Sequence, residues 1–132
     1  MALPKYAITR EFPDLSFDEA KERTIEALSE EGFGILAEID VQDTLKKKLD
    51  VDFRRYTILG ACNPPLAHQA LQNELHLGLL LPCNVVVMER EGGGAVVSAV
   101  RPTDMFNIVD NPQMAPVARD VELMMKRVIQ NL

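Results

Sequence analysis

Apolar and polar residues alternate from the start of the chain. Tyr6, Ile8, Arg10 and Phe12 fall to one side and Ala7, Thr9 and Glu11 to the other, which predicts a half-buried strand that Pro13 ends. Ser16-Phe17-Asp18-Glu19 then fits a capping box, with Ser16 as N-cap and Glu19 reaching back, and predicts a helix of about four turns. Phe17, Ala20, Thr24, Ala27 and Leu28 share one face of it, and Gly32 is placed to close it as a left-handed cap. From Phe33 the pattern returns to period two, Ile35, Ala37, Ile39 and Val41 against Leu36, Glu38 and Asp40, for a second strand. Asp43 to Leu49 reads as a short helix. Phe53 to Cys62 is a third strand, with Tyr56, Ile58, Gly60 and Cys62 on one side.

Asn63-Pro64 starts the next helix, Asn as N-cap and Pro where a missing N–H is harmless, and the helix is expected to reach about Gly78. Leu79 to Pro82 reads as extended. Cys83 to Glu91 is a fourth strand, whose Val85-Val86-Val87-Met88 run suggests burial on both faces. Gly92-Gly93-Gly94 turns it into a fifth strand, Ala95 to Arg101, stopped by Pro102. Asn111-Pro112 repeats the helix start, and Met114, Val117, Ala118, Val121, Met124, Met125, Val128 and Ile129 form the apolar face of the last helix. The order β-α-β-α-β-α-β-β-α with an internal hairpin argues for α+β, helices packed on one face of a mainly antiparallel sheet. A doubly wound parallel sheet is the weaker reading.

Composition narrows the picture. A chain of 132 residues, 47% hydrophobic, fits a single domain spanning 1–132. A net charge of -6, no Trp and few Phe and Tyr leave neither a basic face nor stacking rings, so nucleic acid is excluded as a partner. The first residues carry no apolar leader, and the apolar stretch Leu75 to Met88 is short and interrupted by His76, Pro82 and Asn84. No membrane partner and a cytoplasmic location are therefore expected, and in that compartment the two cysteines are expected as free thiols.

Many chemistries lack their residues. His68 and His76 would sit roughly 12 Å apart along one helix and cannot share a metal. There is no Cys-x-x-Cys, no His-x-x-x-His, no phosphate loop between strand and helix, and no Gly-x-Ser-x-Gly elbow. Lys46-Lys47-Lys48 cannot form one dense stripe because consecutive helical residues diverge. Lys48 alone projects toward the apolar side with Val41 and Leu45, facing a pocket or snorkelling to water.

Glu74 is the misplaced residue. On a regular helix it falls in the middle of the face made by Ala67, Ala70, Leu71, Leu75 and Gly78, while Gln69, Gln72, Asn73 and His76 cluster opposite. A carboxylate there must be paired, with Lys48 or Arg54 as candidate donors, or be protonated, or be displaced by a helix irregularity. The same helix is bracketed by Cys62-Asn63 and Cys83-Asn84. Parallel flanking strands would hold the thiols at opposite edges. Antiparallel strands would gather Cys62, Asn63, Cys83, Asn84 and Glu74 about one pocket beside a helix N-terminus.

Ile58-Leu-Gly-Ala-Cys-Asn-Pro-Pro-Leu-Ala-His-Gln-Ala-Leu, then Glu74 and Gly78-Leu-Leu-Leu-Pro-Cys-Asn-Val-Val-Val, resembles the domain-of-unknown-function 302 (DUF302) family. The likeness extends back through Gly32-Phe33-Gly34 and forward to Pro102. It implies a compact α+β domain akin to a single TATA-binding-protein-like repeat, with no established activity. The motif positions are Cys62, Asn63, Pro64, Glu74, Pro82, Cys83 and Asn84.

The leading expectation is a small-ligand binding or sensing module with its pocket near Cys62, Cys83 and Glu74. Lys48 and Arg54 stand as further candidates. An enzyme with a cysteine nucleophile and Glu74 as acid/base is the alternative, weakened because no histidine is placed to activate a thiol. Metal or haem binding through the cysteines is the second alternative, and no cofactor is identified. Leu123 and Pro116 on the outer side of the last helix, together with sheet edges that need cover, lead to the expectation of a homodimer.

Overall fold

A computed structural model describes residues 3–132. Five strands, β1 (Ala7–Phe12), β2 (Gly34–Asp40), β3 (Tyr56–Cys62), β4 (Cys83–Glu89) and β5 (Ala95–Val100), form one sheet in the order β1-β5-β4-β3-β2. Every pairing is antiparallel. The triple glycine makes the β4–β5 hairpin, all three residues at positive φ.

Helix α1 (Phe17–Glu30) is capped by the Ser16 hydroxyl, which accepts from the Glu19 amide at 3.1 Å, and it buries Phe17, Ala20, Thr24, Ala27 and Leu28 as the periodicity requires. Gly32 has φ +85° just past its end. Helix α5 (Met114–Gln130) buries Met114, Val117, Ala118, Val121, Met125, Val128 and Ile129. Both helices pack on the sheet face that carries Leu59, Val85, Val87, Val97 and Ala99, each at most 0% exposed. From β1, the Arg10 guanidinium donates to the carbonyls of Ile129, Gln130 and Leu132, satisfying the open end of α5.

Several boundaries differ from the sequence expectation. The third strand begins at Tyr56 instead of Phe53, and α2 (Val41–Leu49) takes Val41 from the second strand because the Asp40 carboxylate caps it through the Asp43 amide. The Asn111 side chain accepts from the Gln113 amide in a turn, so α5 starts at Met114, after the Asn-Pro pair. The expected burial of β4 on both faces is corrected. Val85 and Val87 are buried, but Val86 and Met88 lie on the opposite face with Tyr56 and Ile58, where they remain partly exposed. Pro102 stops β5 and also starts a helix, α4 (Pro102–Phe106), which the sequence reading did not include.

The largest correction concerns α3 (Pro64–Asn73). It ends where Glu74 turns extended, φ -148°, and a 3-10 helix, Leu75–Leu80, follows in place of the last helical turn and the first half of the extended return, of which Leu81 is extended. Leu75 and Leu79 point to solvent at 80% and 87% exposure while Leu77 anchors the segment.

Candidate functional site

β3 and β4 meet at one end of the sheet with Ala61 opposite Cys83 and Gly60 opposite Asn84. The antiparallel arrangement therefore holds, and both cysteines lie at the same end. Pro82 approaches the β3 backbone closely, for a Cβ on Gly60 would come within 2.8 Å of the Pro82 ring. Asn63 then starts α3, its Oδ1 accepting from the Leu66 amide at 3.3 Å. Between these segments and the face of α5 lies a cavity of about 30 Å³. Phe33, Leu66, Ala67, Ala70, Leu81, Phe106, Val117 and Val121 contribute its apolar walls, and Cys62, Asn63 and Cys83 supply its polar atoms. A water-sized or methyl-sized group fits such a volume.

Both thiols are free. Cys83 is 5% exposed, and burial, aided by the neighbouring Cys62 charge, pushes its pKa up to about 11. Cys83 is thus a neutral thiol at neutral pH, a poor nucleophile. Cys62 is half-buried on the cavity wall. The Asn63 amide, besides capping α3, donates to the Glu31 carbonyl at 3.5 Å and contacts the Met124 sulfur at 3.9 Å, so it ties α3 to the end of α1 and the middle of α5.

Of the residues singled out from the sequence, Cys62, Asn63 and Cys83 come together and the others do not. Glu74 does not occupy the core face. The helix breaks at it, leaving it half-buried with a 3.5 Å contact to the Asn111 amide, which is the irregularity among the three ways of relieving a misplaced carboxylate. Asn84 is exposed because it belongs to the sheet face away from the helices. Lys48 is exposed on α2, a helix with no buried residue, so it faces no pocket. Arg54 is exposed and donates to the Glu89 carbonyl at 3.1 Å, far along β4 from the cavity mouth. His68 and His76 are exposed too, on different helices. Among the described residues no three His, Cys, Asp or Glu side chains gather as a metal site would require.

Phe33 and Phe106 are the wall residues that sequence reasoning passed over. Phe33 carries a signal in hindsight: an aromatic ring directly after a helix-closing glycine is well placed to fold back over that helix. Phe106 carries none, since its position depends on α4.

The family model for the domain of unknown function DUF302 matches residues 8–132. Among solved structures, the chain is similar to the crystal structure of an uncharacterized conserved DUF302 protein from Bacillus stearothermophilus. That likeness has 29% identity and a TM-score of 0.88, and covers 97% of this chain and 98% of the other. No curated protein matches the chain. No helix among the described residues is long and apolar enough to cross a membrane. With the family model spanning nearly the whole sequence and a solved member sharing its fold end to end, the chain belongs to the DUF302 family.

Proposed function

We propose that this domain is a small-ligand binding module whose ligand inserts an apolar tip into the cavity at the end of β3 and β4. The observation that carries the reading is the wall chemistry: apolar side chains on every side, with Cys62, Asn63 and Cys83 as the polar contacts. Each buried methylene contributes about 0.8 kcal/mol to binding there. One side of the cavity is covered by α3 through Leu66, Ala67 and Ala70, of which Ala70 is the buried residue of that helix. A longer tip is accommodated by an outward shift of that segment. The neutral Cys83 thiol favours binding over nucleophilic catalysis; among the described residues the two sulfurs have no third ligand beside them, which favours it over a metal site, and a cavity of about 30 Å³ is far smaller than a haem.

Titration with ethanol, 1-propanol and 1-butanol, followed by amide NMR, tests the reading. Shifts are expected at residues 61–70 and 117–121, strengthening with chain length until the cavity fills, and Ala67→Leu should abolish them. Shifts scattered over the surface, or unaffected by Ala67→Leu, would count against it.

We propose also that two copies pair through the sheet face that α1 and α5 leave uncovered. That face presents Val86, Val96, Val100, Ile58, Met88 and Tyr56, and Glu11 is the charged residue among its alternating positions. In a chain of net charge -6, a face nearly free of carboxylates is where an equally acidic copy approaches without repulsion. Five strands and about six residues of each span roughly 500 Å². Leu36, Ile39, Val51 and Phe53, all exposed beside it, extend it toward the roughly 800 Å² per partner of a stable interface.

A further inference from the structure

A second hollow, larger than the thiol cavity, lies between α4 with its following 3-10 turn, Asn107–Val109, and the first turns of α5. Its volume is about 460 Å³, within the roughly 300–1,000 Å³ of small-molecule sites. Buried Phe106, Met114 and Ala118 make an apolar floor. Around it stand Thr103, Asn107, Asp110, Asn111 and Arg119. Two of these are already engaged: the Thr103 hydroxyl donates to the Glu122 carboxylate, and Asn111 bonds the Asn73 carbonyl and the Gln113 amide. Asp110 and Arg119 are exposed, opposite in charge and on the same cleft, and among the described residues neither has an ion-pair partner within 4.0 Å.

We propose that this cleft binds a small zwitterion bearing an apolar side chain, in chemical class an α-amino acid. The cleft carries one charge of each sign, so a simple anion drawn to Arg119 leaves Asp110 unpaired, and a simple cation drawn to Asp110 leaves Arg119 unpaired. A molecule carrying both charges satisfies both, and its side chain covers Phe106, Met114 and Ala118. Arg119 pairs the carboxylate through charge-assisted hydrogen bonds, and Asp110 takes the ammonium. The site stands apart from the thiol cavity and does not rest on the reading given for it, although the Phe106 ring is a wall of both.

L-leucine is the probe, followed by amide NMR and compared with L-leucinamide, which lacks the carboxylate. Leucine is expected to shift residues 103–119. Arg119→Gln and Asp110→Asn should each weaken it about tenfold, the loss of one charge-assisted contact. Asp110 has φ +51°, a conformation asparagine also adopts, so its substitution removes charge without disturbing the backbone. Leucinamide, a cation, should bind Arg119→Gln no more weakly than the native cleft, because a like charge has been removed, and leucine binding should be indifferent to Ala67→Leu in the thiol cavity. No shift in residues 103–119 would overturn the site. Leucine binding undiminished by either charge substitution would overturn its zwitterion chemistry.

Discussion

Gly93 and Gly94 have φ of +109° and +88° and differ in their surroundings: a Cβ on Gly93 meets nothing within 4 Å, whereas one on Gly94 would run into the Phe12 carbonyl oxygen and the Pro13 backbone. Gly93→Ala is expected to cost about 1–2 kcal/mol from backbone conformation alone. Gly94→Ala should cost more than about 4 kcal/mol, since it drives the hairpin off the end of β1, and urea unfolding of both variants reads the difference. Cys83 offers a second test. Its folded pKa is raised from 9.0 to about 11, so burial of the neutral thiol supports the fold fully below pH 9, and that support is lost as pH rises through 11. Alkaline unfolding should show a loss of about 2–3 kcal/mol over that window, absent in Cys83→Ala. A thiol reagent at pH 8 should modify Cys62 well before Cys83. Glu74 teaches the reverse lesson at this scale: its oddness on the helical wheel was legible, but a wheel assigns directions only while the helix stays regular, and the backbone at Glu74 is extended.

Helix α4 is short and has no cap of its own, so its first N–H groups look outward for an acceptor. Glu122 of α5 supplies it, accepting from the Thr103 amide at 3.1 Å and from the Thr103 hydroxyl, with Arg101 and Lys126 each 3.6 Å from its other oxygen. Burial pushes the Glu122 pKa up, but the Thr103 hydrogen bonds and the two cations outweigh it, and the net direction is down. The carboxylate's contribution is therefore present above the ordinary value near 4.5 and lost as pH falls through the lower folded value. Glu122→Gln is expected to cost about 1–3 kcal/mol at pH 7 and to flatten the acid limb of a stability-pH curve. Elements with a one-sided apolar pattern, α1 and α5, were readable because the pattern itself is what packs. α4 was not, because Pro102 marks a strand's end and a helix's first turn equally well. The same ambiguity hid the α4–α5 cleft, while the Cys62–Cys83 end of the sheet followed from topology once antiparallel pairing was granted.

For the whole molecule, the class of fold was set by strand order and the hairpin, but the character of the second sheet face was not. A continuous valine run reads alike whether its outer residues meet a helix, another chain or water. The pairing proposed through that face has a direct readout. Light scattering should give twice the 14.7 kDa chain mass, and Val86→Lys should return it to the monomer without unfolding it. A monomer at high concentration, or a dimer indifferent to Val86→Lys, would count against that interface. The place of β1 in the sheet carries one more consequence, in time rather than space. β2 to β5 form a meander whose longest connection is residues 63–82, whereas Thr9 meets Ser98 across a separation of 89 positions. Closing the longer loop costs roughly 1 kcal/mol more in chain entropy, and the cost falls before any contact repays it. The first strand of the chain is thus expected to be the last to join, docking on a four-stranded sheet already formed. In pulsed hydrogen exchange during refolding, the amides of Ala7 to Phe12 should gain protection after those of β3 and β4, and simultaneous protection would contradict this order.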